Sequence, residues 1–178
     1  MELEELKYPI GKFKWPKEVS VISISEYISV IEKFPALLKS EVEKLSEEEL
    51  LFIYRPEGWN IRQVVHHCAD SHSNAFTRFK LALTEDMPSI KPYLENLWAQ
   101  LPDVINAPIE WSLEILDGTH KRWVMLMQNM DSANWKKSFI HPEHNRELKL
   151  ESVASLYAWH CNHHLEHVKQ AKNFKGKF

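Results

Sequence analysis

At 178 residues, with a formal net charge of -3 and an isoelectric point near 6.4, the chain is long enough for one domain with a substantial core and lacks a general basic surface for nucleic acid. No run of about 18 uninterrupted apolar residues offers a membrane span, and the leading Met-Glu-Leu-Glu-Glu is acidic where a secretory signal is basic, so the expectation is a cytoplasmic protein. Two cysteines, Cys68 and Cys161, make no disulfide framework and read as small buried hydrophobes.

Four glycines leave few positions for the tight turns of an all-β fold, whereas segments with a 3.6-residue apolar period are plentiful. The first helix is predicted from about Ser23 to Leu45, with Ile24, Tyr27, Ile28, Ile31, Leu38 and Leu45 on its apolar side and a kink at Pro35. Val19 to Ile24 alternates weakly and reads alternatively as a short strand. Ser46 opens Ser-Glu-Glu-Glu, a capping-box pattern that starts a short helical piece.

The second helix is predicted from Asn60, which can cap while Gln63 reaches back, to about Leu83. Beside its apolar stripe (Ile61, Val64, Val65, Cys68, Ala75, Phe76, Phe79) runs a polar line of His67, Ser71, Asn74 and Arg78, the pattern of a pocket wall. Signals are mixed from Thr84 to Pro108, with prolines at 88, 92, 102 and 108 and one short helix over Leu94 to Leu101; this long connection should cross the bundle. Pro108 suits the first turn of a third helix reaching about Met130, with Ile109, Leu113, Leu116, His120, Trp123, Val124 and Met127 inward. Asp131 to Asn145 reads as a short helix and a loop, and a fourth helix begins near Leu150. Four long amphipathic helices and one crossing connection predict an all-α four-helix bundle, a single domain over residues 1–178.

The chemistry concentrates in the last helix. His160 and His164 lie four residues apart, one helical turn, so both imidazoles project from the stripe of Val153, Tyr157, Val168 and Ala171 and can close on one metal ion. A single buried histidine is more often a hydrogen-bonded core residue; a pair one turn apart adds a chelating geometry. For a third ligand, spacing leaves His67 and His72 equal, His120 behind them, and His66 pointing away.

Leu6-Lys-Tyr-Pro-Ile-Gly, Gly58-Trp-Asn-Ile-Arg-Gln-Val-Val-His-His-Cys-Ala-Asp-Ser-His72, Arg78 to Asp86, Ile90-Lys-Pro-Tyr93 and Leu156-Tyr-Ala-Trp-His-Cys-Asn-His-His164 together resemble the DinB/YfiT-like superfamily, and within it the YfiT group assigned as metal-dependent hydrolases. The resemblance covers nearly the whole chain and implies a homodimer with a DinB-like helical fold. In that family the first ligand opens a His-Leu-Ala-Asp segment, which places it at His67, followed here by Cys68-Ala69-Asp70; Cys68 in place of leucine is an apolar exchange. The other two ligands land on His160 and His164.

Three imidazoles leave a fourth tetrahedral position open, as in catalytic zinc sites, where bound water is acidified to a pKa of about 7. One divalent metal per subunit is expected, zinc first with nickel as a substitute. No residue is assigned as catalytic: His-Cys-Asn-His-His lacks the glutamate of a His-Glu-x-x-His helix, and neither Asp70 nor Glu166 falls on the pocket face. A thiol nucleophile needs no general base, because a metal deprotonates a coordinated thiol. The resemblance also extends to transferases that attach a low-molecular-weight thiol such as bacillithiol to electrophiles, with Asn74 and Arg78 then contacting the small-molecule substrate. A third reading is a binding or stress-response module whose histidines stabilise the bundle. Imidazole ligation predicts metal affinity falling below about pH 6.5. His66, His72, His163 and His167 are left as core groups or groups behind the ligands, and His141 and His144 as loop residues.

Overall fold

Local chemistry starts two of the four long helices where a side-chain oxygen can accept from a first-turn amide. The computed structural model describes residues 2–178, apart from the side chain of His144. After a short α1 (Leu3–Lys7), Ser20 Oγ accepts from the Ser23 amide at 3.1 Å and α2 runs over Val21–Val42. The strand alternative for residues 19–24 is thus overturned, because that cap commits Val21 onward to helix. Ser46 and Glu49 form the expected reciprocal cap, ahead of a 3-10 turn at Glu49–Leu51. Asn60 and Gln63 do the same at 2.9 and 3.0 Å for α3 (Ile61–Thr84).

The connection folds into two short pieces, α4 (Glu95–Trp98) and α5 (Pro102–Asn106), rather than the single helix expected over 94–101; Pro102 starts the second piece. The first turns of α3 clamp it. Arg62 Nη1 donates to the Ala107 carbonyl at 2.7 Å, Gln63 Nε2 donates to the Ala99 carbonyl at 2.8 Å, and the His66 ring lies 3.3 Å from the Ala107 carbonyl oxygen. Then α6 (Ile109–Gln128) follows Pro108, and Asp131 caps α7 (Ser132–Lys136).

Beyond α7 the structure departs from the expected loop. Strands β1 (Ser138–His141) and β2 (Arg146–Lys149) pair antiparallel, Ser138 opposite Lys149 and His141 opposite Arg146, with Asn145 at φ 42° in the turn. Ile140 also exchanges backbone bonds with the stretch after α3, donating to the Pro88 carbonyl at 2.9 Å and accepting from the Ile90 amide at 3.0 Å. The last helix, α8 (Leu150–Phe174), follows β2 directly.

The main contacts run around a ring: α2 packs on α6 and α8, and α3 packs on the same two. Ile31, Phe34, Leu38, Val65, Cys68, Phe79, Leu116, Trp123, Cys161 and Val168 close the centre. Truncating a fully enclosed side chain such as Trp123 to alanine should cost about 3–5 kcal/mol. Helix α2 passes through Pro35 without a break, and proline has no N–H to offer the carbonyl four residues back, that of Ile31. Among the described residues no helix is long and apolar enough to cross a membrane.

Candidate metal centre

His67 on α3 and His160 and His164 on α8 meet at the seam between those helices, with one nitrogen from each ring within 4.8 Å of the others. Nε2 of His67 lies 3.3 Å from Nε2 of His160. Two nitrogens 2.0–2.1 Å from one tetrahedral zinc stand about 3.3–3.4 Å apart. Two imidazole lone pairs at that distance repel unless a proton or cation lies between them, so this donor set suits a soft to borderline divalent metal.

Burial keeps these rings uncharged. It pushes His67 down to about 4, helped by the charge of His163, and holds His160 and His164 well below the ordinary histidine range. The neutral form is the one a metal requires.

The three rings form one wall of a cavity of about 630 Å³. Trp59 leans on His67 at 4.7 Å between ring centroids, and Tyr8, Trp15 and Phe139 add aromatic surface. Helix α1 and the segment after it are held over α8 where Gln170 Nε2 donates to the Leu6 carbonyl at 3.0 Å and Trp159 Nε1 donates to the Gly11 carbonyl at 3.1 Å. That strap brings Tyr8 and Trp15 to the cavity.

Of the polar line read on α3, His67, Ser71 and Arg78 line the cavity. Arg78 Nη2 donates a long bond of 3.4 Å to the Lys91 carbonyl. Asn74 is not among the lining residues: its amide donates to the Asp70 carbonyl of its own helix at 2.9 Å, one turn back, which corrects its expected place on the pocket wall. Neither Asp70 nor Glu166 lines the cavity; Glu166 accepts from Lys169 at 2.8 Å, and burial, then Asp103, raises Asp70 to about 6.

Sequence reasoning missed Glu95, the one carboxylate among the lining residues, as well as Tyr8, Trp15 and His141. The last sits on β1, in the segment read as loop. Only the glutamate had a local signal, its place in the predicted short helix.

The two histidines that rivalled His67 lie behind the site. Nε2 of His72 is 2.9 Å from Nδ1 of His160, and Nδ1 of His72 is 2.6 Å from Nε2 of His120. His66 is occupied elsewhere, with Nδ1 2.7 Å from Ser112 Oγ.

The sequence profile of the DinB superfamily matches residues 31–168. A protein of Oceanobacillus iheyensis, provisionally named a metal-dependent hydrolase, is 46% identical over 162 residues, spanning 91% of this chain and 93% of its own. One from Bacillus mycoides with the same provisional name is 45% identical over 166 residues, spanning 93% and 95%. Among solved structures, YfiT from Bacillus subtilis, described as a probable metal-dependent hydrolase with an unusual four-helix bundle topology, superimposes with a TM-score of 0.93 at 40% identity, covering 97% of this chain and 98% of its own. A mycothiol-dependent maleylpyruvate isomerase shares the fold at a TM-score of 0.58 and 13% identity, covering 83% of this chain and 60% of that one. With more than half its length inside the family profile and relatives this similar end to end, the chain belongs to the DinB superfamily.

Proposed function

We propose that the protein is a metal-dependent hydrolase in which His67, His160 and His164 hold one divalent cation, zinc in preference to nickel. The observation that carries this reading is the convergence of three neutral imidazoles on one wall of a cavity large enough for a small-molecule substrate. The names of the relatives support it. When bound, the cation supplies Lewis acidity toward a substrate oxygen and acidifies water at neutral pH.

The chain's own residues do the rest. Tyr8, Trp15, Trp59 and Phe139 cover the apolar part of a substrate and exclude solvent from the histidine wall. Arg78 offers guanidinium hydrogens to an anionic or carbonyl group. Glu95 is the carboxylate on the cavity lining, and in this reading it takes up the proton released in hydrolysis, at a carboxylate oxygen. The hydroxyl of Tyr157 donates to the Ser71 carbonyl at 3.2 Å and so ties α8 to α3 at the cavity wall.

Thiol transfer is the second reading, favoured by the absence of Asp70 and Glu166 from the cavity lining and by Arg78 as a partner for an anionic thiol such as bacillithiol. The two are separated by assaying zinc-loaded protein, and a His160→Ala variant, on ester, amide and phosphoester panels and on a thiol with monochlorobimane. Hydrolysis well above the variant supports the first. Conjugation alone replaces it with the second, and no difference from the variant in either assay removes both.

A further inference from the structure

Ile31 is fully buried, and Pro35 leaves its carbonyl oxygen without the usual helical donor. A buried carbonyl in that state needs a partner from outside the helix. Nδ1 of His120, on α6, stands 2.6 Å from it. A carbonyl oxygen can only accept, so that nitrogen carries the proton. The remaining nitrogen of an uncharged His120 is then bare, and it faces Nδ1 of His72 at 2.6 Å. Two bare nitrogens would repel there, so His72 carries its proton on Nδ1 and presents a bare Nε2 to Nδ1 of His160 at 2.9 Å. His160 must in turn be protonated on Nδ1, which leaves its Nε2 lone pair facing Nε2 of His67.

A second, shorter arm obeys the same rule. Nε2 of His167 lies 3.1 Å from the Lys7 carbonyl and must donate, so Nδ1 of His167 is bare. That atom is 3.4 Å from Nδ1 of His164, which donates and leaves its own Nε2 free. The His167 ring is fixed for this task by stacking on Tyr54, 3.8 Å between centroids at 12°. Every link assumes one proton per ring. That is the ordinary state of an imidazole above about pH 6.5.

We infer that His120 and His72 on one arm and His167 on the other are positioning residues: anchored on the Ile31 and Lys7 carbonyls, they fix both α8 imidazoles as Nδ1–H tautomers with their Nε2 lone pairs directed to the cation. This rests on the reading that His67, His160 and His164 hold a divalent metal. A hydrogen bond to the far nitrogen of a ligating imidazole fixes its tautomer and raises its basicity, and losing such a partner typically costs 10–100-fold in metal affinity.

The test has two independent readouts on the full chain. In the metal-free protein, long-range nitrogen–proton NMR of the imidazoles should show His160 and His164 as Nδ1–H tautomers; Nε2–H at both overturns the inference. Zinc affinity, measured by competition with a chromophoric chelator, should fall 10–100-fold in His120→Phe and in His167→Phe. In His120→Gln it should stay within about threefold, because a side-chain amide can both donate to Ile31 and accept from His72. Wild-type affinity in both phenylalanine variants overturns the relay. Should either variant fail to fold, the glutamine variant and the wild-type tautomers still decide. Failure of the metal reading looks different: the wild type takes up no zinc, or His160→Ala binds as tightly as the wild type.

Discussion

Nδ1 of His160 lies 2.9 Å from Nε2 of His72, and that contact joins the histidine cluster on the cavity wall to the middle of the bundle. Four helices contribute to one polar line: α8 with His160, α3 with His72, α6 with His120 and α2 with the Ile31 carbonyl. Its apolar setting makes the line matter, because a buried polar atom deprived of its partner costs about 1–3 kcal/mol.

Replacing His160 or His164 with alanine should reduce bound zinc from one ion per chain to near none. Zinc should raise the thermal midpoint of the wild type, since at one hundred times the dissociation constant a ligand that binds only the native state adds about 2.7 kcal/mol. Metal analysis and thermal scans check both; a wild-type midpoint indifferent to zinc would contradict them.

Pro35→Ala restores an amide that competes with His120 for the Ile31 carbonyl. The substitution should weaken zinc binding several-fold while leaving unfolding free energy unchanged or raised, because proline in a helix interior is otherwise costly. Equal affinity in the two proteins would show that the oxygen accepts both donors at once and that the competition does not occur.

Acid should destabilise the fold in a defined window. Burial holds His67, His120 and His163 at about 4 and His167 at about 3, below the ordinary 6.5. Between those values the unfolded chain takes up protons that the folded chain refuses, so stability is complete above about pH 6.5 and drains away as pH falls toward 4. Each unit within that window costs about 1.4 kcal/mol per histidine kept neutral. The urea midpoint should therefore drop sharply from pH 7 to pH 5. If His67 holds the proposed cation, protons should compete for it in the same region, below the pH 6.5 expected of an unperturbed imidazole.

Arg78→Ala should raise KM for anionic substrates about tenfold or more and leave zinc content intact, whereas Glu95→Gln should lower kcat. Asn74→Ala should change neither, because its amide is spent on the Asp70 carbonyl. Steady-state kinetics on whichever substrate the panels identify separates the three.

Helix positions and the histidine pair of α8 were legible because both depend on local periodicity. Asn60 with Gln63 marked the start of α3, and His160 with His164 marked one face of α8. The choice of His67 over His72 was not legible from spacing, because both rings do point inward; one meets the cavity and the other meets His120. Pro35 was read as a kink, but its consequence at Ile31 depends on a residue 89 positions away. The hairpin escaped notice because strands of four residues carry too little alternation to outweigh a loop reading. Tyr8 and Trp15 reach the cavity through tertiary placement alone, and the short helix expected around Glu95 carried no sign of where it would pack.

The contacts that define the histidine cluster and its anchors span 88, 89, 93 and 160 residues of sequence. No half-docked intermediate missing α1 or α2 can assemble all of them. A cation held by the cluster with every anchor in place would therefore mark the finished bundle, and a colorimetric zinc assay would double as a gauge of how much of a preparation has reached it.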